Sequence, residues 1–152
     1  MSAIDIKISE TDLAKLRKKI ALLKKESTTK LSKNIGKTAF EIVEKAAQKA
    51  PVAKKFGGTL RQSINAEPRG TQAVIFAGAL YAPYVEFGTG TKVDVSDAKK
   101  LGISPSEIKR LYKGQGKRKV NINPQPFFFP AVRIGLNNML KNIEKDLKSI
   151  TK

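Results

Sequence analysis

At 152 residues the chain is long enough for one domain with a real core and too short for two independent ones. It has no cysteine and no histidine, which excludes disulfides, thiolate metal sites, the usual zinc sites and histidine acid–base chemistry. Its formal net charge of +17, from 30 basic and 13 acidic side chains, draws it to polyanions or acidic protein surfaces and makes its copies repel unless neutralised.

The chain opens on Ala3-Ile-Asp-Ile-Lys-Ile8, an alternating stretch that predicts a short strand or extended arm. Ser9 or Thr11 offers an N-cap, with Glu10 and Asp12 placed to favour a helix N-terminus. Apolar residues then recur at three- and four-residue steps through Leu13, Leu16, Ile20, Leu23, Leu31, Ile35, Ala39, Ile42, Ala46 and Ala50, ending before Pro51. Two readings fit this stripe. One is a single helix of about 57 Å, too long for one small core and so partly packed on another subunit. The other is two ordinary helices broken at Ser27-Thr28-Thr29.

After a loop at 51–58, Thr59-Leu-Arg-Gln-Ser-Ile64 leads into a strand over 63–67. Pro68-Arg-Gly-Thr71 predicts a turn, and 72–78 a second strand, giving a hairpin. Next comes Tyr81-Ala-Pro-Tyr-Val-Glu-Phe-Gly-Thr-Gly90, with one short helical turn expected around 82–86. The stretch 91–120 has the character of a long loop or insertion. Within it Ser104-Pro-Ser-Glu107 is a capping box that predicts a short helix over 105–112. Val120-Asn-Ile122 suggests a last strand, and after Pro124-Gln-Pro-Phe-Phe-Phe-Pro-Ala131 an amphipathic helix closes the chain.

The expected fold is therefore α+β: a long N-terminal helix, a small antiparallel sheet with an extended loop, and a C-terminal amphipathic helix. It forms a single domain, divided into an arm (1–8), a helical segment (9–50), the hairpin and aromatic motif (51–90), the basic loop (91–120), and the last strand with the terminal helix (121–152). No apolar run approaches the roughly 20 residues that span a bilayer, and no signal-peptide pattern opens the chain, so no membrane partner is expected.

The two aromatic stretches hold two of three tyrosines and four of seven phenylalanines. Tyr81, Tyr84, Glu86, Phe87, Phe127, Phe128 and Phe129 are accordingly the candidates for core and inter-subunit surface. Glu86 is a lone carboxylate in an apolar setting, and it is expected to pair inside the fold with Arg61 or Arg133 rather than act as a general acid. Gly88-Thr-Gly-Thr-Lys92 has only a loose likeness to a phosphate loop.

Charge is unevenly spread: +8 over 1–56, zero over 57–91, +6 over 92–123 and +3 over 124–152. Lys113, Lys117, Arg118 and Lys119 sit among glycines and form the best candidate for contact with DNA or an acidic partner. No aromatics interleave with them, so any nucleic-acid binding would be independent of sequence and strongly salt-dependent.

Four motifs in order carry a family resemblance. They are Ala50-Pro51 after a helix; Gly58-Thr-Leu-Arg-Gln-Ser-Ile64; Tyr81-Ala-Pro-Tyr-Val-Glu-Phe-Gly-Thr89; and Pro126-Phe-Phe-Phe-Pro-Ala131 before a final helix. From about residue 30 onward the chain resembles the tailed-bacteriophage family of neck, or tail-completion, proteins, often labelled as tail components. Related minor tail and virion-morphogenesis families share much of the pattern. Two departures stand out: Gly57-Gly-Thr59 where the family has Thr-Gly before Leu-Arg, and a longer, more basic 91–120 segment.

The resemblance implies a structural virion protein with no cofactor, not an enzyme. It implies a homo-oligomeric ring, hexameric or dodecameric, at the head–tail junction or capping the head-proximal end of the tail tube, through which double-stranded DNA passes. The implied neighbours are head-closure or adaptor proteins on one side and tail-terminator or tail-tube proteins on the other, with the chain made in the host cytoplasm. A minor tail or morphogenesis protein is the alternative within the resemblance. Charge alone would instead fit a sequence-independent nucleic-acid-binding protein.

Overall fold

The computed structural model describes residues 10–52, 57–106, 108 and 121–150. The elements run α1 (Glu10–Lys49), α2 (Thr59–Gln62), β1 (Ile64–Arg69), β2 (Gln72–Ala77), α3 (Ala82–Phe87), a 3-10 turn (Gly90–Lys92), α4 (Ser96–Lys100) and α5 (Phe128–Ile150). The expected α+β class is what the chain adopts.

Of the two readings of the N-terminal stripe, the single helix is correct. α1 has 40 residues, or about 60 Å. Thr28 and Thr29 do not break it, because their hydroxyls donate to the carbonyls of Lys24 and Lys25, four residues back, at 2.8 and 2.9 Å. That local bond lets a threonine sit inside a helix with its polar group satisfied. The helix stops where Pro51 forbids continuation, its last main-chain bond running from Ala50 N–H to Ala46 O.

α5 lies antiparallel against the second half of α1. They approach closely at Gly135, where an added Cβ would lie 2.2 Å from Ile42 Cγ1. Farther along, Asn34 Nδ2 bonds Asp146 Oδ2, and Lys30 Nζ donates to Ser149 Oγ at 3.4 Å.

β1 and β2 form a two-stranded antiparallel hairpin with Ile64 opposite Ala77 and Arg69 opposite Gln72. Pairing runs through Pro68 and Arg69, so the turn shrinks from the expected four residues to Gly70-Thr71, with Gly70 at φ 61°. Proline is tolerated there because each strand of a two-stranded sheet is an edge. The hairpin leans on α1, and Ser32 Oγ donates to Gly70 O at 2.9 Å, fixing the turn to the helix.

Two further expectations change. The expected last strand does not form at Asn121 and Ile122, which run as extended chain outside the sheet, while Val120 lies outside the described residues. Of the capping-box helix, Pro105, Ser106 and Ile108 are helical and the rest lies outside the described residues. The expected arm (1–8) lies outside them as well. α4, inside the segment read as a loop, was not expected.

The main core gathers Ile42 and Ala46 of α1 and Ala50 just after it with Leu60, Ile64, Ala82, Phe127 and Ala131. A smaller cluster joins Phe87, Ala98 and Ile108, packed by Phe129. Because Gly135 is the contact point of the two long helices, Gly135→Ala should lower stability by about 1–3 kcal/mol in urea unfolding, although alanine is the better helix former. Adding Ile42→Ala should make the pair less destabilised than the sum of the two single changes, because it removes the colliding atoms.

Candidate functional site

The site is where the two aromatic stretches meet. α3 delivers Glu86 and Phe87 to the interior, the carboxylate being only 4 % exposed and the ring 6 %. The chain then reverses at Gly88, whose φ is 73°. A Cβ there would stand 2.7 Å from Ile122 O and 2.9 Å from Pro124 N, so only glycine lets the two segments lie this close.

Segment 121–127 is tied along α3 and the turn after it. Gln125 N–H donates to Val85 O at 2.8 Å, Thr89 N–H to Ile122 O at 3.1 Å, and Ile122 N–H to Thr89 Oγ1 at 2.9 Å. Lys92 Nζ donates to Asn123 Oδ1 at 2.8 Å. These bonds carry Pro126 and Phe127 to the mouth of α5.

Glu86 closes the arrangement. Its Oε2 accepts from Phe127 N–H at 2.7 Å and from Phe128 N–H at 2.8 Å, and its Oε1 accepts from Phe129 N–H at 2.9 Å. A helix leaves its first N–H groups without partners and carries partial positive charge at that end. One carboxylate meets both needs, and Pro130 in the same turn has no N–H to satisfy.

This corrects the expected ion pair of Arg61, Glu86 and Arg133. Among the described residues no ion pair joins Glu86 to either arginine. Arg61 Nε donates to Ala50 O at 3.0 Å, at the C-terminus of α1, and Arg133 Nη2 lies 3.7 Å from Asp97 Oδ1. Main-chain donors at the helix mouth took the place of a cation.

The three successive phenylalanines point different ways. Phe127 is in the main core at 1 % exposure. Phe129 stacks on Phe87 with ring centroids 5.4 Å apart, joining the second cluster. Phe128 sits edge-on between its neighbours, at 6.3 Å from Phe127 and 5.6 Å from Phe129. It also lines an open apolar groove of about 280 Å³ with Phe76, Pro83, Ile103 and Ile108.

Tyr81 and Tyr84 are exposed at the surface, so the motif has an inner half of Glu86 and Phe87 and an outer half of tyrosines. Beside them stand three apolar residues the motif reading did not single out: Leu80, 93 % exposed, and Val74 and Phe76 on the outer face of β2. Only the strand expected over 72–78, in which alternate residues face opposite sides, hinted at the last two. Lys113, Lys117, Arg118 and Lys119 lie outside the described residues.

Residues 14–88 match the family model described as bacteriophage HK97 gp10, putative tail-component. Over those residues the chain is similar to that family. The match starts earlier in α1 than the resemblance read from the motifs, and it ends on Gly88, before the Phe127–129 segment. That family is one of structural phage tail components. No curated protein and no solved structure matches the chain. Among its described residues, no helix is long and apolar enough to cross a membrane.

Burial raises the pKa of Glu86 above the ordinary 4.5, and the three N–H donors oppose that shift without cancelling it. A raised carboxyl pKa means that the folded chain holds this proton more tightly than the unfolded chain. Glu86 therefore adds most stability below pH 4.5 and loses that addition as pH rises through the raised folded value. Glu86→Ala should cost about 2–4 kcal/mol at neutral pH by stranding three main-chain donors. The stability of the native chain relative to Glu86→Gln should be greatest in acid and decline toward neutrality. A relative stability flat across that range in denaturant titrations would contradict the assignment.

Proposed function

We propose that this chain is a structural virion protein of a tailed phage that acts by assembling copies of itself into a closed ring in the neck, where DNA crosses from head to tail. The observation that carries this reading is unfinished apolar surface around a rigid aromatic centre. Leu80 stands almost wholly in solvent beside Tyr81 and Tyr84, and Val74 and Phe76 face outward from the hairpin. Leu136, Leu140 and Leu147 are likewise exposed on α5. An isolated soluble domain seldom displays this much large apolar side chain in one molecule, and neighbouring subunits would cover it.

The rest of the reading fits the family and the chemistry. Both Glu86 oxygens are occupied by main-chain donors, so the buried carboxylate of the motif holds the fold together and is not positioned to exchange protons with a substrate. In a ring, a net charge of +17 per copy needs an anionic counterpart, and a DNA duplex in the channel supplies one. Lys113, Lys117, Arg118 and Lys119 are assigned to that duplex or to an acidic face of an adjoining virion protein. The adjoining proteins in this scheme are the head-closure or adaptor layer and the tail terminator or tube.

Immunogold labelling of phage particles tests the location. Label at the head–tail junction is expected; label along the tail would assign the chain to a minor tail or morphogenesis role. Bare particles with decorated cellular DNA, and a salt dependence of several units in log affinity, would favour a nucleic-acid-binding protein. Two variants test the mechanism. Leu80→Asp should leave thermal unfolding unchanged, because the residue buries almost nothing within its own chain, yet abolish rings in sedimentation and electron microscopy. Replacing Lys117, Arg118 and Lys119 by Glu should preserve the fold and block assembly or DNA retention. Normal particles from the triple variant would remove that role from the loop.

A further inference from the structure

The hairpin presents one strand edge with its full set of main-chain groups. Gly78 N–H donates to Ser63 O at 2.8 Å, and the register continues through Asn65 with Phe76, Glu67 with Val74 and Arg69 with Gln72. Bonded pairs alternate along an antiparallel ladder, so Ala73, Ile75 and Ala77 turn their N–H and C=O groups away from β1. Among the described residues nothing bonds to those groups. The opposite edge of the hairpin is blunted, because Pro68 has no N–H to offer there.

The apolar groove of about 280 Å³ borders the β2 edge. Ile75, Phe76 and Ala77 line it on one side, and Ile103, Ile108 and Phe128 are among the residues that complete it. A strand edge beside an apolar groove suits an added extended segment, since main-chain bonds hold the segment and alternate side chains enter the groove.

One segment of this chain has that character. Ile4, Ile6 and Ile8 alternate with Asp5 and Lys7, so an extended 3–8 has one β-branched apolar face and one polar face. Its two charges cancel, as do those of 57–91, and the two surfaces can meet without repulsion.

The arm is too short for the groove of its own chain. The bond from Ser32 to Gly70 O fixes the hairpin's turn about 33 Å along α1 from Glu10. From that turn the strands run on toward the cluster of Ile42 and Ala46, against which Ile75 and Ala77 pack. Fully extended, the arm puts Ala3 only about 25 Å from Glu10.

We propose that residues 3–8 of one copy add as a third strand to the β2 edge of a second copy, with Ile4, Ile6 and Ile8 directed into the groove. This rests on the self-assembly in the ring reading and not on the place of the ring in the virion.

Because the chain has no cysteine, cross-links report only the positions chosen for them. Full chains carrying Asp5→Cys or Lys7→Cys, mixed with chains carrying Val74→Cys on the exposed face of β2, should form mixed disulfide dimers under mild oxidation. Ile6→Cys, facing the other way, should give about ten-fold less. Ile4→Asp with Ile6→Asp should weaken self-association in sedimentation about ten-fold or more, while the melting temperature of the monomer stays unchanged.

Three outcomes would overturn the proposal. One is a disulfide closed within a single chain that carries both Lys7→Cys and Val74→Cys. Another is equal yield from positions 5, 6 and 7. The third is unchanged self-association of the Ile4/Ile6 variant, which would leave the ring reading standing. Arm-dependent dimers without rings in electron microscopy would support the added strand and overturn the ring. A native chain that stays monomeric at every concentration would overturn both.

Discussion

One carboxylate decides where the last helix begins. α5 enters the fold by a proline-bounded run of phenylalanines, and such a run has no intrinsic reason to start a helix at one residue rather than the next. The three N–H groups at its mouth point at Glu86, 41 to 43 residues earlier in the chain. Shifting the helix by one residue would break those bonds and rotate the rings by about 100°. Phe127 would then leave the main core and Phe129 would lose Phe87. The division of aromatic mass between two clusters therefore rests on a polar contact, and each cluster's burial in turn keeps water away from that contact.

Arg61 does the converse at the other helix. α1 ends with negative partial charge on its last carbonyls, and the guanidinium of Arg61 donates to the carbonyl of Ala50 there. An acid and a base that sequence logic pairs with each other are instead spent on opposite ends of two helices. The arrangement is economical for a domain with a two-stranded sheet and a core of mostly small residues. It fixes the C-terminus of α1 and the N-terminus of α5, and the antiparallel packing of those helices at Ile42 and Gly135 places the hairpin against α1.

What was legible in the sequence follows from the range of the forces involved. Helical periodicity is local, so α1, α5 and the turn at 82–87 could be read from spacing, and Pro51 and Gly70 marked their own breaks. Whether Ser27-Thr28-Thr29 interrupts a helix was not legible, since a threonine hydroxyl can compete with the main chain or bond four residues back within the helix. The partner of Glu86 was hidden for a different reason. Main-chain N–H groups appear at every position except proline, and which ones stand free depends on where a distant helix starts. Burial of the Glu86 motif was readable from its composition, while Leu80 beside it, almost fully exposed, shows that apolar character alone does not say which side of a loop faces the core.

The distribution of charge separates two kinds of contact. Residues 57–91, which hold the hairpin, Leu80 and the tyrosines, are electrically neutral, whereas the surplus of lysine and arginine lies on the two long helices and in 92–123. A neutral face with apolar knobs can meet its own copy without repulsion, but a face of cations cannot. Subunits that touch through the neutral face would leave their basic surfaces directed away from one another, toward partners of opposite sign. Self-contact and contact with anions thus need not compete for the same surface.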